Sequence, residues 1–153
     1  MIEEGQEAPD FELETDEGGT VRLSHLRGKA VVLYFYPRDD TPGCTAQALA
    51  IRDAWSDFRD RGAVVLGISP DTVSSHRKFK EKYGLPFTLL ADPDHAVAEQ
   101  YGVWREKSYA GRTYMGIHRS TFVIAAGGTV EQALYGVRAE GHADLVLGAL
   151  TAS

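Results

Sequence analysis

The sequence feature that most constrains this chain is an unbroken apolar run, Val31 to Tyr36, which is closed by Pro37. Six consecutive apolar residues are typical of a strand buried on both faces of a sheet. Pro37 ends this strand, because proline has no N–H to donate to a central ladder. After a polar turn, Thr41 and Pro42 suit the N-cap and the first position of a helix. Apolar residues then recur at helical steps of three and four, at Ala46, Leu49, Ala50, Ala54, Trp55 and Phe58.

The only cysteine of the chain, Cys44, falls in the first turn of this predicted helix, just beyond the carboxyl end of the predicted strand. Ligand sites of open α/β sheets gather at the carboxyl ends of the strands. The first helical turn also offers unpaired N–H groups and the positive end of the helix dipole, which favour a thiolate over a thiol. Because the thiolate is the nucleophilic form of cysteine, we expect the functional site at Cys44.

Outside this stretch, strand and helix patterns alternate. An N-terminal β-hairpin is predicted from Phe11–Thr15 and Thr20–Leu23. Central strands are predicted at Ala63–Ile68, Phe87–Ala91 and Thr121–Ala125, the last with a hairpin partner at Thr129–Tyr135. Helices are predicted from a Ser74 or Ser75 cap to Tyr83, from Asp92-Pro93 to Tyr101, and near the C-terminus with Leu145, Val146, Leu147 and Leu150 on the inner face. The segment from Val103 to Ile117 is interpreted as less regular.

This order of elements predicts an α/β fold with a central mixed β-sheet flanked by helices. The length of 153 residues fits a single domain, residues 1–153, on a prior of roughly 150 residues per domain. A chain of this size can bury a full core without disulfides or metals.

Charge and cysteine content restrict the functional class. A net charge of −6 argues against nucleic acid and anionic membranes as partners. A single cysteine cannot form an internal disulfide, so the chain needs no oxidising compartment. The acidic N-terminus lacks the apolar run of a signal peptide, and no segment approaches the about 18 apolar residues of a membrane span. We therefore expect a cytoplasmic protein.

Pro37, Thr41 and Cys44 form a Pro-x-x-x-Thr-x-x-Cys motif, and at this point the chain resembles the peroxiredoxins. The longer string FYPRDDTPGCTAQALAIRD resembles their bacterioferritin-comigratory (Q-type) subfamily. Further similarity lies in the opening segment Gly5–Phe11, in Tyr101–Val103 and in the arginine-bearing segment Gly116–Ile124. The resemblance therefore runs from Gly5 to the final helix.

The resemblance implies a thioredoxin-like fold and reduction of hydrogen peroxide or organic hydroperoxides by the Cys44 thiolate. It implies that Thr41 places its hydroxyl between thiolate and peroxide, that Arg119 brings a fixed positive charge, and that Pro37 shields the pocket from water. These residue types suit the reaction, because charge builds on the departing oxygen as the O–O bond breaks. The guanidinium stays charged and holds several N–H donors in a rigid fork. No metal or organic cofactor is implied.

The chain departs from the subfamily at Leu49, where many Q-type members carry a second cysteine. The resemblance therefore points to a single-cysteine variant, in which an external thiol must condense with the Cys44 sulfenic acid and then release it. Candidate reductants are thioredoxin, a glutaredoxin-type protein or a low-molecular-weight thiol. The resemblance also favours a monomer.

Other interpretations of these residues stay open. A lone cysteine is often a small buried hydrophobe, Thr41 can be only an N-cap, and Pro37 can merely end a strand. A strand arginine is usually a surface residue, although Arg119 precedes the apolar run from Thr121 to Ala125 and so lies at the entry to a central strand. Alternative functions are a redox sensor or holdase that uses the oxidisable thiol, and a monothiol disulfide exchange protein. The five histidines show no metal-ligand spacing with Cys44 or with each other.

Overall fold

The structure, a computed structural model, describes residues 1–152 of the chain, with side chains up to residue 150. Its centre is a seven-stranded mixed sheet in the order β2-β1-β5-β4-β3-β8-β9. The strands are β1 (Glu12–Thr15), β2 (Thr20–Arg22), β3 (Val31–Phe35), β4 (Val64–Ser69), β5 (Thr88–Ala91), β8 (Ser120–Ile124) and β9 (Val130–Tyr135). The parallel pairs β3–β4 and β4–β5 form the middle, and antiparallel pairs extend both sides. The predicted N-terminal hairpin, β1–β2, is confirmed.

Every residue of β3 is buried, as its unbroken apolar sequence predicts. Alternate β3 side chains point to opposite faces and enter two separate cores. Leu33 and Phe35 belong to the core that contains Val97 and Tyr101, whereas Val32 and Tyr34 belong to the core that contains Cys44. The sheet is thus covered on both faces, which fixes its register.

Within residues 1–152, five α-helices cover the sheet. They are α1 (Pro42–Asp53), α2 (Trp55–Asp60), α3 (Val73–Tyr83), α4 (Ala96–Gln100) and α5 (His142–Ala152). The apolar pattern from Ala46 to Phe58 is therefore two helices separated at Ala54. Among residues 1–152, no helix combines the length and the apolar character needed to cross a membrane.

Two helix starts differ from the prediction. Helix α3 is capped by Thr72, whose hydroxyl accepts the Ser75 N–H at 3.1 Å, and not by Ser74 or Ser75. Helix α4 begins at Ala96, several residues after Asp92-Pro93. The Asp92 carboxylate nevertheless caps it, because its two oxygens accept the N–H groups of Val97 and Ala98 at 3.2 and 2.9 Å. In the final helix, Leu145 is exposed and does not lie on the inner face.

The prediction of an irregular segment from Val103 to Ile117 is wrong. This segment forms a separate two-stranded hairpin of β6 (Trp104–Tyr109) and β7 (Arg112–Ile117). Its two-residue turn, Ala110-Gly111, has positive φ at both positions, which is the geometry of a tight hairpin turn. The hairpin carries little apolar alternation because much of both strands is exposed, including Tyr109, Tyr114 and Met115.

Candidate active site

Cys44 occupies the first turn of α1, directly after the loop that leaves β3. Thr41 is the N-cap residue and Pro42 the first helical residue, as predicted. The cysteine is 2% exposed and packs in the core that contains Tyr34, Tyr36 and Ala48. Its sulfur therefore lies near the amino end of α1, where the free N–H groups and the helix dipole stabilise negative charge.

Arg119 reaches this sulfur from a distant part of the chain. Strands β3 and β8 are antiparallel with Phe35 opposite Ser120, so Arg119, one residue earlier, lies level with the carboxyl end of β3. Its Nη2 donates to Cys44 Sγ at 3.5 Å. The prediction that Arg119 lies at the entry to a central strand is confirmed, and the guanidinium is placed to stabilise a thiolate.

Gln47 holds the other side of the Arg119 guanidinium and was missed by the sequence analysis. Its Oε1 accepts a short hydrogen bond from Arg119 Nη1. Gln47 lies three residues after Cys44, so both side chains share one face of α1. Gln47 is fully buried, and its Nε2 has no hydrogen-bond partner among the described residues. The sequence shows the helical spacing of Cys44 and Gln47, but the role of Gln47 can be recognised only once the position of Arg119 is known.

Gly43 has no side chain, and this leaves room for the Arg119 guanidinium. A Cβ built on Gly43 would lie 3.2 Å from Arg119 Nη2 and 3.8 Å from the Ala139 Cβ. Any side chain here would displace the guanidinium by a few tenths of an ångström. The Pro-Gly pair before Cys44 thus provides a helix start and room for the charged group.

Thr41 caps α1 with its backbone while its hydroxyl has a different partner. The Thr41 carbonyl oxygen accepts the Thr45 N–H at 2.8 Å, and no side-chain capping bond forms. The hydroxyl donates to the Arg38 carbonyl oxygen at 2.9 Å. Its lone pairs remain able to accept a hydrogen bond. Pro37 is half-buried in the loop after β3.

A buried polar network fixes the loop between Pro37 and Thr41. The Tyr36 hydroxyl donates to Asp39 Oδ1 at 2.6 Å, and burial and then the Asp39 charge raise the pKa of Tyr36. Nδ1 of His76 lies 2.7 Å from Asp39 Oδ2, and its Nε2 lies 2.9 Å from the Leu90 carbonyl oxygen. Asp39 thereby connects this loop to His76 of α3.

One acid–histidine cluster was not apparent from sequence spacing. Ligand-type atoms of Asp39, Asp71 and His76 all lie within 4.8 Å of one another. Asp71 Oδ2 accepts from the Asp39 N–H and from the Ser69 hydroxyl, at 2.7 and 2.6 Å. These hydrogen bonds account for the proximity of the three side chains.

Two further polar side chains lie in the core beside Cys44. Burial, and to a smaller extent the negative charge of a Cys44 thiolate, raise the pKa of Tyr34. Nε2 of His142 lies 2.7 Å from Thr121 Oγ1, and burial and then the Arg119 charge lower the pKa of His142 to about 4. Among the described residues, neither the Tyr34 hydroxyl nor His142 Nδ1 has a hydrogen-bond partner. His142 is therefore neutral at pH 7.

The arrangement as a whole is that of a nucleophile beside preorganised donors. The sulfur has a guanidinium on one side and a helix amino terminus beneath it. An atom that binds next to the sulfur and gains negative charge would be stabilised by the same donors. Among the four predicted site residues, Cys44 and Arg119 are in contact, and Thr41 and Pro37 lie on the loop between β3 and α1.

The chain is similar to known proteins over nearly its whole length. The AhpC/TSA family matches residues 4–133. The chain is 52% identical over 149 residues to a putative peroxiredoxin Bcp of Coxiella burnetii, which covers 97% of this chain and 99% of that protein. It is 50% identical over 141 residues to the peroxiredoxin Bcp of Bacillus subtilis, which covers 92% of this chain and 90% of that protein.

A solved structure extends the comparison to the fold. The bacterioferritin comigratory protein of Xanthomonas campestris matches with a TM-score of 0.91 and 39% identity, over 98% of each chain. That protein was studied for its alkyl peroxide reduction activity through trapped intermediate and ligand complexes.

Proposed function

This chain belongs to the AhpC/TSA family as a peroxiredoxin of the Bcp (peroxiredoxin Q) type, and we propose that Cys44 carries its thiol-dependent peroxidase activity. The family, the thioredoxin-like fold and the peroxidase activity expected from the motif are thereby confirmed. Members of the family act on peroxides with thiol reductants, and the assignment of each residue below is our proposal. The observation that carries it is the 3.5 Å contact between Arg119 Nη2 and Cys44 Sγ.

In the first half-reaction, the Cys44 thiolate attacks one peroxide oxygen and the O–O bond breaks. The sulfur becomes a sulfenic acid, and the departing oxygen leaves as water or an alcohol after taking a proton. Arg119 stabilises the thiolate and then the charge on the departing oxygen. The Thr41 hydroxyl accepts a hydrogen bond from the incoming peroxide, and Pro37 limits the access of water to the sulfur. Organic hydroperoxides are proposed as substrates by analogy with the Xanthomonas campestris protein.

In the second half-reaction, the reductant is an external thiol. Leu49 stands where many Q-type members have a second cysteine, and the chain contains no other cysteine than Cys44. Thioredoxin, a glutaredoxin-type protein and a low-molecular-weight thiol all remain candidates. The chemistry suits a reducing compartment such as the cytoplasm. We further propose that residues 1–153 act as one domain and as a monomer.

Peroxide consumption with a supplied thiol tests the proposal. The wild-type protein should consume many equivalents of peroxide per Cys44, whereas Cys44→Ser should consume none. Mass spectrometry should find one added oxygen on Cys44 when the thiol is withheld. Consumption of about one equivalent would instead indicate a redox sensor, and a preference for disulfide substrates would indicate a monothiol exchange protein. Turnover by Cys44→Ser would overturn the assignment.

A further inference from the structure

Three cations lie on the β6–β7 hairpin or just after it, and one of them, Arg119, contacts the active-site sulfur. We call this group the cationic rim, and it consists of Arg105, Lys107 and Arg119. Arg105 and Lys107 are two residues apart on β6 and therefore lie on the same face of the β6–β7 hairpin. The Lys107 ammonium donates to the Ile117 carbonyl oxygen at 2.6 Å, two residues before Arg119 in the chain. The hairpin thus places a second cation close to the segment that leads from β7 to Arg119.

No carboxylate neutralises this rim within the part of the chain that has described side chains. Neither Arg105, Lys107 nor Arg119 has a carboxylate oxygen within 4.0 Å there, although the chain carries a net charge of −6. The Arg105 guanidinium lies 4.9 Å from the centre of the Tyr135 ring, and its Nη2 is buried without a hydrogen-bond partner among the described residues. Within this part of the chain, no carboxylate therefore compensates the charge of the rim. Its donors are partly used, because Arg105 Nε donates to the Gly102 carbonyl oxygen at 2.9 Å and Arg119 donates to Cys44 Sγ.

The charges also repel one another. Burial and then the Arg119 charge lower the pKa of Lys107, while a thiolate at Cys44 acts in the opposite direction. Burial, Arg105 and Lys107 lower the pKa of His118. A negative charge on the Cys44 sulfur thus favours the charged form of Lys107, whose ammonium is held at the Ile117 carbonyl oxygen, two residues before Arg119. An anion bound here would relieve the repulsion.

We propose that the cationic rim binds the carboxylate of the reducing thiol, so that the external reductant of this peroxidase is a carboxylate-bearing thiol. The inference rests on the proposed function, because a single-cysteine peroxidase needs a thiol from outside. Lys107 keeps two N–H donors after its bond to Ile117, enough to hold a carboxylate oxygen.

The proposed step exchanges the S–O bond of the sulfenic acid for an S–S bond. The thiolate of the reductant attacks the sulfur of the Cys44 sulfenic acid, an S–S bond forms, and the S–OH oxygen leaves as water after gaining a proton. A second molecule of the same thiol then attacks the mixed disulfide. Cys44 leaves as a thiolate, and the reductant is released as its disulfide. Lys107 holds the carboxylate and takes no part in bond exchange.

A matched pair of thiols tests the inference. Cys44 is first oxidised with one equivalent of hydrogen peroxide, and the sulfenic acid then reacts with N-acetylcysteine or with N-acetylcysteine amide at equal thiolate concentration. The acid should react faster than the amide. Lys107→Gln should reduce this ratio of rates roughly fivefold, and added salt should reduce it in the wild-type protein. Lys78→Gln, an exposed change on α3, should leave the ratio unaltered.

The experiment distinguishes failure of carboxylate binding from failure of the peroxidase function. Equal rates for the acid and the amide, or the same ratio in Lys107→Gln as in the wild-type protein, would overturn the inference while the peroxidase proposal stands. If peroxide produced no sulfenic acid on Cys44, the proposed function would fail and the inference with it.

Discussion

The Arg119 guanidinium lies 3.5 Å from the Cys44 sulfur although 75 residues separate the two in the chain. The antiparallel pairing of β8 with β3 produces this contact, because it brings the start of β8 level with the end of β3. The nucleophile therefore lies in the first turn of α1 and the cation one residue before β8, and only the short loop from Pro37 to Thr41 separates β3 from α1. Such a site is preorganised before peroxide binds.

Arg119→Ala should slow formation of the Cys44 sulfenic acid by about 10²–10³-fold, the usual effect of removing one donor to a developing oxyanion. Arg119→Lys should fall between this variant and the wild-type protein, because it keeps the charge and loses the two-pronged geometry. Stopped-flow measurement of a single turnover checks both. Arg59→Ala, an exposed change on α2, is the control. Wild-type rates in Arg119→Ala would remove this residue from the mechanism.

Gly43→Ala should separate activity from stability. The new Cβ would lie 3.2 Å from Arg119 Nη2 and must move the guanidinium, so we expect the peroxide step to slow by about tenfold. The same change should stabilise α1 by up to about 1 kcal/mol, since alanine favours a helix over glycine. Gly148→Ala is a matched control, because it lies in α5 with nothing within 4 Å of its Cβ. Urea unfolding and peroxide kinetics measure the two effects; an unchanged rate in Gly43→Ala would contradict the steric argument.

Strong local signals predicted the elements that carry Cys44. The apolar run from Val31 to Tyr36 and the Thr41-Pro42 pair each specify their structure through one dominant interaction, burial in the first case and helix initiation in the second. Arg119 could be placed at a strand entry, but its contact with Cys44 depends on the register between β3 and β8. The spacing of residues along the sequence does not determine the register between β3 and β8.

The features that sequence missed depend on weak or distant signals. The β6–β7 hairpin is exposed on much of both strands, so hydrophobic alternation could not reveal it. Asp92 caps α4 across a turn, through N–H groups five and six residues later, which a search for adjacent caps overlooks. Gln47 becomes meaningful only when the position of Arg119 is known.

Leu49→Cys should show that a bridge within α1 requires the helix to open. Ideal helix geometry separates Cα atoms five residues apart by about 9 Å. A disulfide tolerates at most about 7 Å, so Cys44 and a cysteine at this position cannot join in the intact helix. Peroxide should therefore produce an internal disulfide together with a loss of helical circular dichroism. Leu49→Ser should show no such loss. A disulfide with an unchanged helical signal would contradict the geometric argument.

His142 should make stability depend on pH in a defined window. Its pKa is about 4 in the folded protein, below the value of 6.5 for an unperturbed histidine, because burial and then Arg119 disfavour the imidazolium. As the pH falls, His142 is therefore protonated at a higher pH in the unfolded chain than in the folded protein. The resulting stability is fully present above pH 6.5 and is lost progressively down to about pH 4. The loss should reach about 3 kcal/mol.

The pH dependence of the free energy of unfolding, measured with urea in the wild-type protein and in His142→Gln, isolates this contribution. Glutamine cannot titrate but can still hydrogen-bond Thr121 Oγ1, the present partner of His142 Nε2. The slope between pH 6.5 and about 4 should be shallower in His142→Gln. His25→Gln, a change at an exposed position, should keep the wild-type slope. We expect the difference because protonating a buried neutral histidine costs free energy. If His142→Gln had the same slope as the wild-type protein, the acid sensitivity of the fold would come from other groups and not from His142.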